Sequence, residues 1–199
     1  DGQSNAVALD YHREGRGDQE RNTFVRSFGS SVTNASAGND RNFVIAVADR
    51  GNTRGAIGQW GLRLANVIKE TQNIPVLVIN GAFGGTRVEQ HLRDDGNPEN
   101  LDTIYGRLLW RFRQAGVAHK VRAIFWHQGE SNGQMAYDQY LRLWTAMYTA
   151  WLEDFPNVEG VFPFQVRMGC GSPTWNRNVQ RDLPVLLPRV LASMSTTGV

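Results

Sequence analysis

The chain has 199 residues, 21 lysines and arginines against 19 aspartates and glutamates, a formal charge of +2 and a 41% hydrophobic composition. That length supplies one core with a sheet and covering helices, since single domains run to roughly 100–200 residues. The balanced charge, with no run of Lys or Arg, argues against nucleic acid or a membrane surface as partner; no apolar stretch is long enough to span a bilayer; and a lone cysteine, Cys170, excludes an internal disulfide framework and a cysteine zinc cluster.

The chain opens on Gly2-Gln3-Ser4-Asn5-Ala6, a serine followed by helix-compatible residues. Such a serine is either a helix N-cap or a nucleophile in a tight turn. Residues 10–55 are rich in Asn, Arg, Gly, Asp and Ser, with Phe24 to Phe28 and Phe43 to Val47 as apolar islands, and read as a long excursion bordering a site. Ile57, Trp60, Leu64, Val67 and Ile68 then fall on one helical face. The apolar run from Pro75 to Asn80 is a buried strand, and it ends in the glycine-rich segment Gly81-Ala82-Phe83-Gly84-Gly85-Thr86.

Leu101, Ile104, Tyr105, Leu108 and Phe112 mark a second helix, stopped at Gly116, and Val121 to Trp126 a second strand. Tyr137, Tyr140, Leu141, Trp144, Tyr148 and Trp151 recur at spacings of three and four until Phe155-Pro156, so the spacing predicts a long helix with core aromatics. Val161 to Val166 is a third strand, which Pro163 pushes toward an edge or a bulge because proline donates nothing to a ladder. Val190 to Met194 is a fourth. Alternating strands and helices of this kind build a parallel sheet from βαβ units.

Three segments carry chemistry, each placed where a strand gives way to a loop, the edge at which parallel sheets bind ligands. Besides Ser4 these are Gly84-Gly85-Thr86, whose backbone can approach a developing negative charge, and Trp126-His127-Gln128-Gly129-Glu130-Ser131-Asn132. The glycine spacing matches neither the dinucleotide fingerprint nor the phosphate loop. An imidazole, a carboxamide and a carboxylate around one glycine are costly at a buried strand end unless each finds a partner.

Together the segments resemble the SGNH hydrolase superfamily and, within it, the sialate O-acetylesterase-like branch that includes acetylxylan esterases: Gly-Gln-Ser-Asn at 2–5, Gly-Gly-Thr at 84–86 and Trp-His-Gln-Gly-Glu-Ser at 126–131 stand in that branch's order. The resemblance runs from residue 1 to about Val190. It implies a three-layer α/β/α sandwich with a mostly parallel sheet, and a serine carboxylic ester hydrolase that removes O-acetyl groups from carbohydrates without metal or organic cofactor. By position it implies Ser4 as nucleophile and an oxyanion hole from the backbone N–H groups of Ser4 and Gly85 and the side-chain amide of Gln128. Glu130 would orient Gln128 or the nucleophile turn, or else be a buried carboxylate satisfied by backbone N–H groups. Arg87 and His91 are expected to contact the sugar, with His127 a packing or substrate-contact residue where relatives more often have tyrosine.

The branch's general base is a histidine in an Asp-x-x-His pattern near the carboxyl end. This sequence has His12, His91, His119 and His127 and none beyond. The expectation is therefore a single domain, 1–199, cut short of its first strand and its Asp-x-x-His loop, belonging to a larger chain exported to the periplasm or the cell exterior. Two readings stay open: an esterase acting on an acetylated carbohydrate, and a carbohydrate-binding or structural domain that keeps the fold without turnover.

Overall fold

The computed structural model describes residues 1–10, 12, 14–169 and 174–195, so Cys170 lies outside the described residues. Six strands form two three-stranded ladders. In the first, β1 (Val25–Phe28) lies between β2 (Phe43–Ile45), antiparallel to it, and β3 (Val76–Leu77), parallel to it. In the second, β5 (Gly160–Gln165) lies between β4 (Ala123–Trp126) and β6 (Met194–Ser195), both parallel to it. The residues ahead of Ser4 occupy the seam. Gly2 bridges His127 in parallel at the end of β4, and its carbonyl accepts the Phe83 N–H from the chain leaving β3 at 2.9 Å. That seam requires glycine: Gly2 has φ 132°, and a Cβ there would sit 2.2 Å from the His127 carbonyl oxygen.

Strand alternation sends side chains to opposite faces, and the helices divide accordingly. Helix α2 (Gln59–Gln72) brings Leu62 and Ala65, with Ile57 just ahead of it, against Val25, Val76 and Val78. Helix α3 (Ile104–Gln114) packs Leu108 against Phe28, Leu77 and Ile79, the alternate residues of the same strands. Helix α4 (Tyr137–Asp154) and helix α5 (Thr174–Leu186) share one large cluster with Ile124, Trp126 and Val161. The result is an α/β/α sandwich with a mostly parallel sheet, α2 on one face and α3, α4 and α5 on the other.

The aromatic stripe of α4 is core: Tyr140, Trp144 and Trp151 are fully buried, and Trp151 meets Trp126 edge-on with centroids 5.4 Å apart. Three expectations change. The apolar islands of residues 10–55 are not loop but the strands β1 and β2, because Val25 and Phe28 each find a helix to cover them, one on either face. Strand β5 is interior to its ladder rather than at an edge. Pro163 is tolerated because it falls between the Val161–Val190 bridge and the Phe164–Met194 pair, where the ladder toward the carboxyl end is interrupted. Helix α5 has no counterpart in the sequence reading, since only Val179 and Leu183 of its polar middle are fully buried apolar residues.

Candidate active site

Ser4 begins α1 (Ser4–Val7), a single turn at the carboxyl end of the Asp1–Gln3 segment. The Gln3 carbonyl accepts the N–H groups of Ala6 and Val7 at 2.8 and 3.0 Å, and Ala8, at φ 49°, closes the turn by donating to the Ser4 carbonyl at 3.0 Å. The N–H of Ser4 itself has no acceptor among the described residues. The Gly84-Gly85-Thr86 loop comes from the other side of the seam, and a Cβ placed on Gly84 would lie 3.9 Å from the Ser4 Cβ. Gly85 is exposed, has φ 75°, and likewise has no acceptor for its N–H among the described residues. Two backbone donors therefore remain uncommitted beside one serine.

The loop is held from behind. Thr86 Oγ1 donates its one proton to the Phe83 carbonyl at 2.6 Å, so the 2.7 Å contact with His91 Nε2 is a donation from the ring. His91 is 1% exposed and meets Trp126 edge-on, and burial pushes its pKa down to about 3. It is a neutral imidazole that fixes Thr86, with no surface to offer a sugar, which corrects the expectation of substrate contact. Arg87 is exposed next to Gly85.

Gln128 is also placed differently from its expected role. It is fully buried; its Nε2 donates to the Thr86 carbonyl at 3.2 Å and to Asn132 Oδ1, and its Oε1 faces the Tyr140 hydroxyl at 3.1 Å. Both amide protons are spent inside the protein, so Gln128 ties the glycine loop to the end of β4 and presents no N–H to a ligand. Around it stands a set of buried amides. Asn176 donates to the carbonyls of Gly129 and Asn132 at 3.0 and 3.1 Å, and Gln180, one turn further along α5, donates to the Gln128 carbonyl at 2.6 Å. None of Asn132, Asn176 and Gln180 stood out in the sequence with a role; the i, i+4 pairing of two amides on one helix was the available signal.

Glu130 points to the nucleophile turn rather than to Gln128. Its Oε1 accepts Asn5 Nδ2 at 2.7 Å and lies 3.5 Å from His127 Nε2, while its buried Oε2 has no hydrogen-bond partner among the described residues. Burial acts to raise its pKa, but hydrogen bonds from His127, the backbone and Asn5 outweigh it and hold the carboxyl below its usual range. His127 stacks on Phe164 with centroids 4.9 Å apart. Trp60, read from the sequence only as a core residue, donates its indole N–H to the Asn5 carbonyl at 3.1 Å and lines a cleft of about 490 Å³ with Asp10, His12, Arg16, Gln59 and Arg63.

A turn serine thus lies beside backbone donors uncommitted among the described residues, at the strand ends of an α/β/α sandwich. Residues 2–195 match the family model described as carbohydrate esterase, sialic acid-specific acetylesterase, and the chain belongs to that family. Among solved structures it is similar to a protein from Arabidopsis thaliana (TM-score 0.72, 19% identity, covering 100% of this chain and 84% of that one) and to NanS (TM-score 0.70, 16% identity, 100% and 77%). It is also similar to XAC1771, a carbohydrate acetylesterase from Xanthomonas citri, at TM-score 0.63 and 16% identity, covering 98% of this chain and 47% of that one. A search against curated protein sequences returned no match. No helix among the described residues is long and apolar enough to cross a membrane, and no group of three or more His, Cys, Asp or Glu among them could hold a metal ion.

Proposed function

We propose that the chain is a serine carboxylic ester hydrolase that removes O-acetyl groups from a carbohydrate outside the cytoplasm. The observation that carries this reading is the pair of N–H groups, on Ser4 and on Gly85 next to the Gly84 that approaches the Ser4 side chain, which have no acceptor among the described residues. Attack by Ser4 Oγ on the acetyl carbonyl forms a tetrahedral centre whose oxygen takes the negative charge. Donors fixed beforehand by a helix turn and a glycine loop stabilise that charge without reorganising. Collapse expels the sugar hydroxyl and leaves an acetyl-enzyme, which water hydrolyses.

The first turn of α1 is kept in place by Glu130 through Asn5, and by Gln3, whose Oε1 faces the N–H groups of Gly129 and Ser131 at 3.5 and 3.4 Å. Among the described residues no histidine is hydrogen-bonded to Ser4, and the ring at this edge is His127. The cleft beside Trp60 has the size of a ligand pocket, typically about 300–1,000 Å³, and its polar lining fits a sugar. Arg87 is positioned to meet an acidic or hydroxylated ring substituent.

Turnover of a chromogenic acetate ester tests the reading: Ser4→Ala should abolish it, and an unaffected variant overturns the nucleophile assignment. His127→Phe separates the bases, since loss of kcat assigns the role to His127 and retention places the base elsewhere. Binding of an acetylated sialate without any hydrolysis by the unsubstituted chain would favour the carbohydrate-binding reading.

A further inference from the structure

A second polar cavity lies on the first ladder's side, against the α3 face and away from the cleft at Trp60. It is lined by Ser30, Ser31, Thr33, Asn80, Arg107 and Arg111, and no acidic side chain lines it among the described residues. Arg107 and Arg111 stand one turn apart on α3 and are 8% and 2% exposed. Arg111 donates through Nε to the Phe28 carbonyl and through Nη1 to the Asn80 carbonyl, each at 2.8 Å, while its buried Nη2 has no partner among the described residues. Arg107 donates to the Leu101 carbonyl at 3.0 Å.

Neither guanidinium is in an ion pair among the described residues. The nearest electrostatic help to Arg111 comes from Asp40, whose carboxylate is already bound to Arg54 at 2.8 Å, and to Arg107 from Asp102. Burial pulls the Arg111 pKa down to about 10, so the group stays protonated at neutral pH. A buried cation normally has a carboxylate or another anion beside it, because an uncompensated charge in a low-dielectric interior is costly. Two here face the same space.

We propose that this cavity is a binding site for a small monovalent inorganic anion, chloride in ordinary solution, held by Arg111 Nη2 and Arg107 with the hydroxyls of Ser30 and Thr33. Once bound, the ion joins the end of β1, the end of β3 and α3, immediately before the chain that leads to Gly84 and Gly85. The inference does not depend on the esterase reading, because it is read from binding and not from turnover.

The test uses bromide as a heavy analogue, replacing sodium gluconate at constant ionic strength so that only a small anion is gained. The unsubstituted chain should rise in Tm by about 3–5 °C at ten times the dissociation constant. A crystal soaked in bromide should show an anomalous peak within hydrogen-bond distance of Arg111 Nη2. Arg111→Met should lose the Tm response; should that variant not fold, Arg107→Gln carries the comparison and should flatten the response at least several-fold. A bromide-independent Tm, a cavity without an anomalous peak, or equal responses of Arg107→Gln and the unsubstituted chain would each overturn the assignment.

Discussion

The two ladders meet at the same seam but are stabilised in different ways. Behind β4–β5–β6 lie Trp126, Tyr140, Trp144 and Trp151, and the buried polar groups there include amides that bond to one another and to strand-end carbonyls. Behind β2–β1–β3 the cluster on the α2 side is built from Val25, Ala46, Ala48, Ile57, Leu62 and Ala65, and the α3 side buries Arg107 and Arg111, the latter with Nη2 unpartnered among the described residues. One half is fixed by aromatic volume and a group of amide hydrogen bonds, the other by small contacts and buried cations. Ser4 receives Gly85 from the lightly packed half and the Glu130 loop from the heavily packed one, so the site's precision depends on both.

The comparison breaks first at the aromatic core. Trp144→Ala should cost about 3–5 kcal/mol in urea unfolding, the usual range for removing a buried tryptophan. A smaller loss than that of Leu62→Ala would reverse the ranking of the halves. Next comes the amide clamp: Gln180→Leu leaves the Val166 N–H without its partner, at about 1–3 kcal/mol, and takes one of two donors from the Gln128 carbonyl, which keeps the Tyr140 hydroxyl at 3.2 Å. Esterase kcat should fall with it while KM moves less, because the loop that holds Glu130 loosens.

His91 gives a pH signature of the seam. Its folded pKa of about 3 lies below the unfolded 6.5, so the unfolded state takes up a proton that the folded state refuses. Its contribution is present in full above pH 6.5 and is lost as pH falls from 6.5 toward 3, with a slope of at most about 1.4 kcal/mol per pH unit. Thermal denaturation across that window should show the slope, and His91→Gln should flatten it. The smallest effect belongs to the surface. The Arg122–Glu159 pair links the approaches to β4 and β5 but is 70% and 68% exposed, so Arg122→Ala should shift stability by less than about 1 kcal/mol.

Much of the site was legible because strand ends are marked by abrupt changes of composition. The apolar runs ending at Asn80 and Trp126 located the Gly85 loop and the Glu130 loop, and the serine stood where a turn was needed. Less legible was what each side chain does. His91 and Gln128 looked like ligand contacts because they sit in motif positions, yet both face inward; a local pattern fixes where the backbone goes, and tertiary packing decides which way a polar group turns to find its partner. Asn5 and Trp60 were in view but carried no signal of their joint contact, which spans 55 positions of the chain.

By itself the sequence determined the α/β class, three of the five helices, the cores of the strands β3 to β5 and the family resemblance, since these rest on periodicity and short contiguous motifs. Only the tertiary structure decided that Phe24–Phe28 and Phe43–Val47 contribute sheet strands, that β5 is interior, that α5 supplies the clamp on the Glu130 loop, and that two arginines share one small cavity. Each of those depends on contacts between residues far apart in the chain, whose distances come from packing and not from spacing.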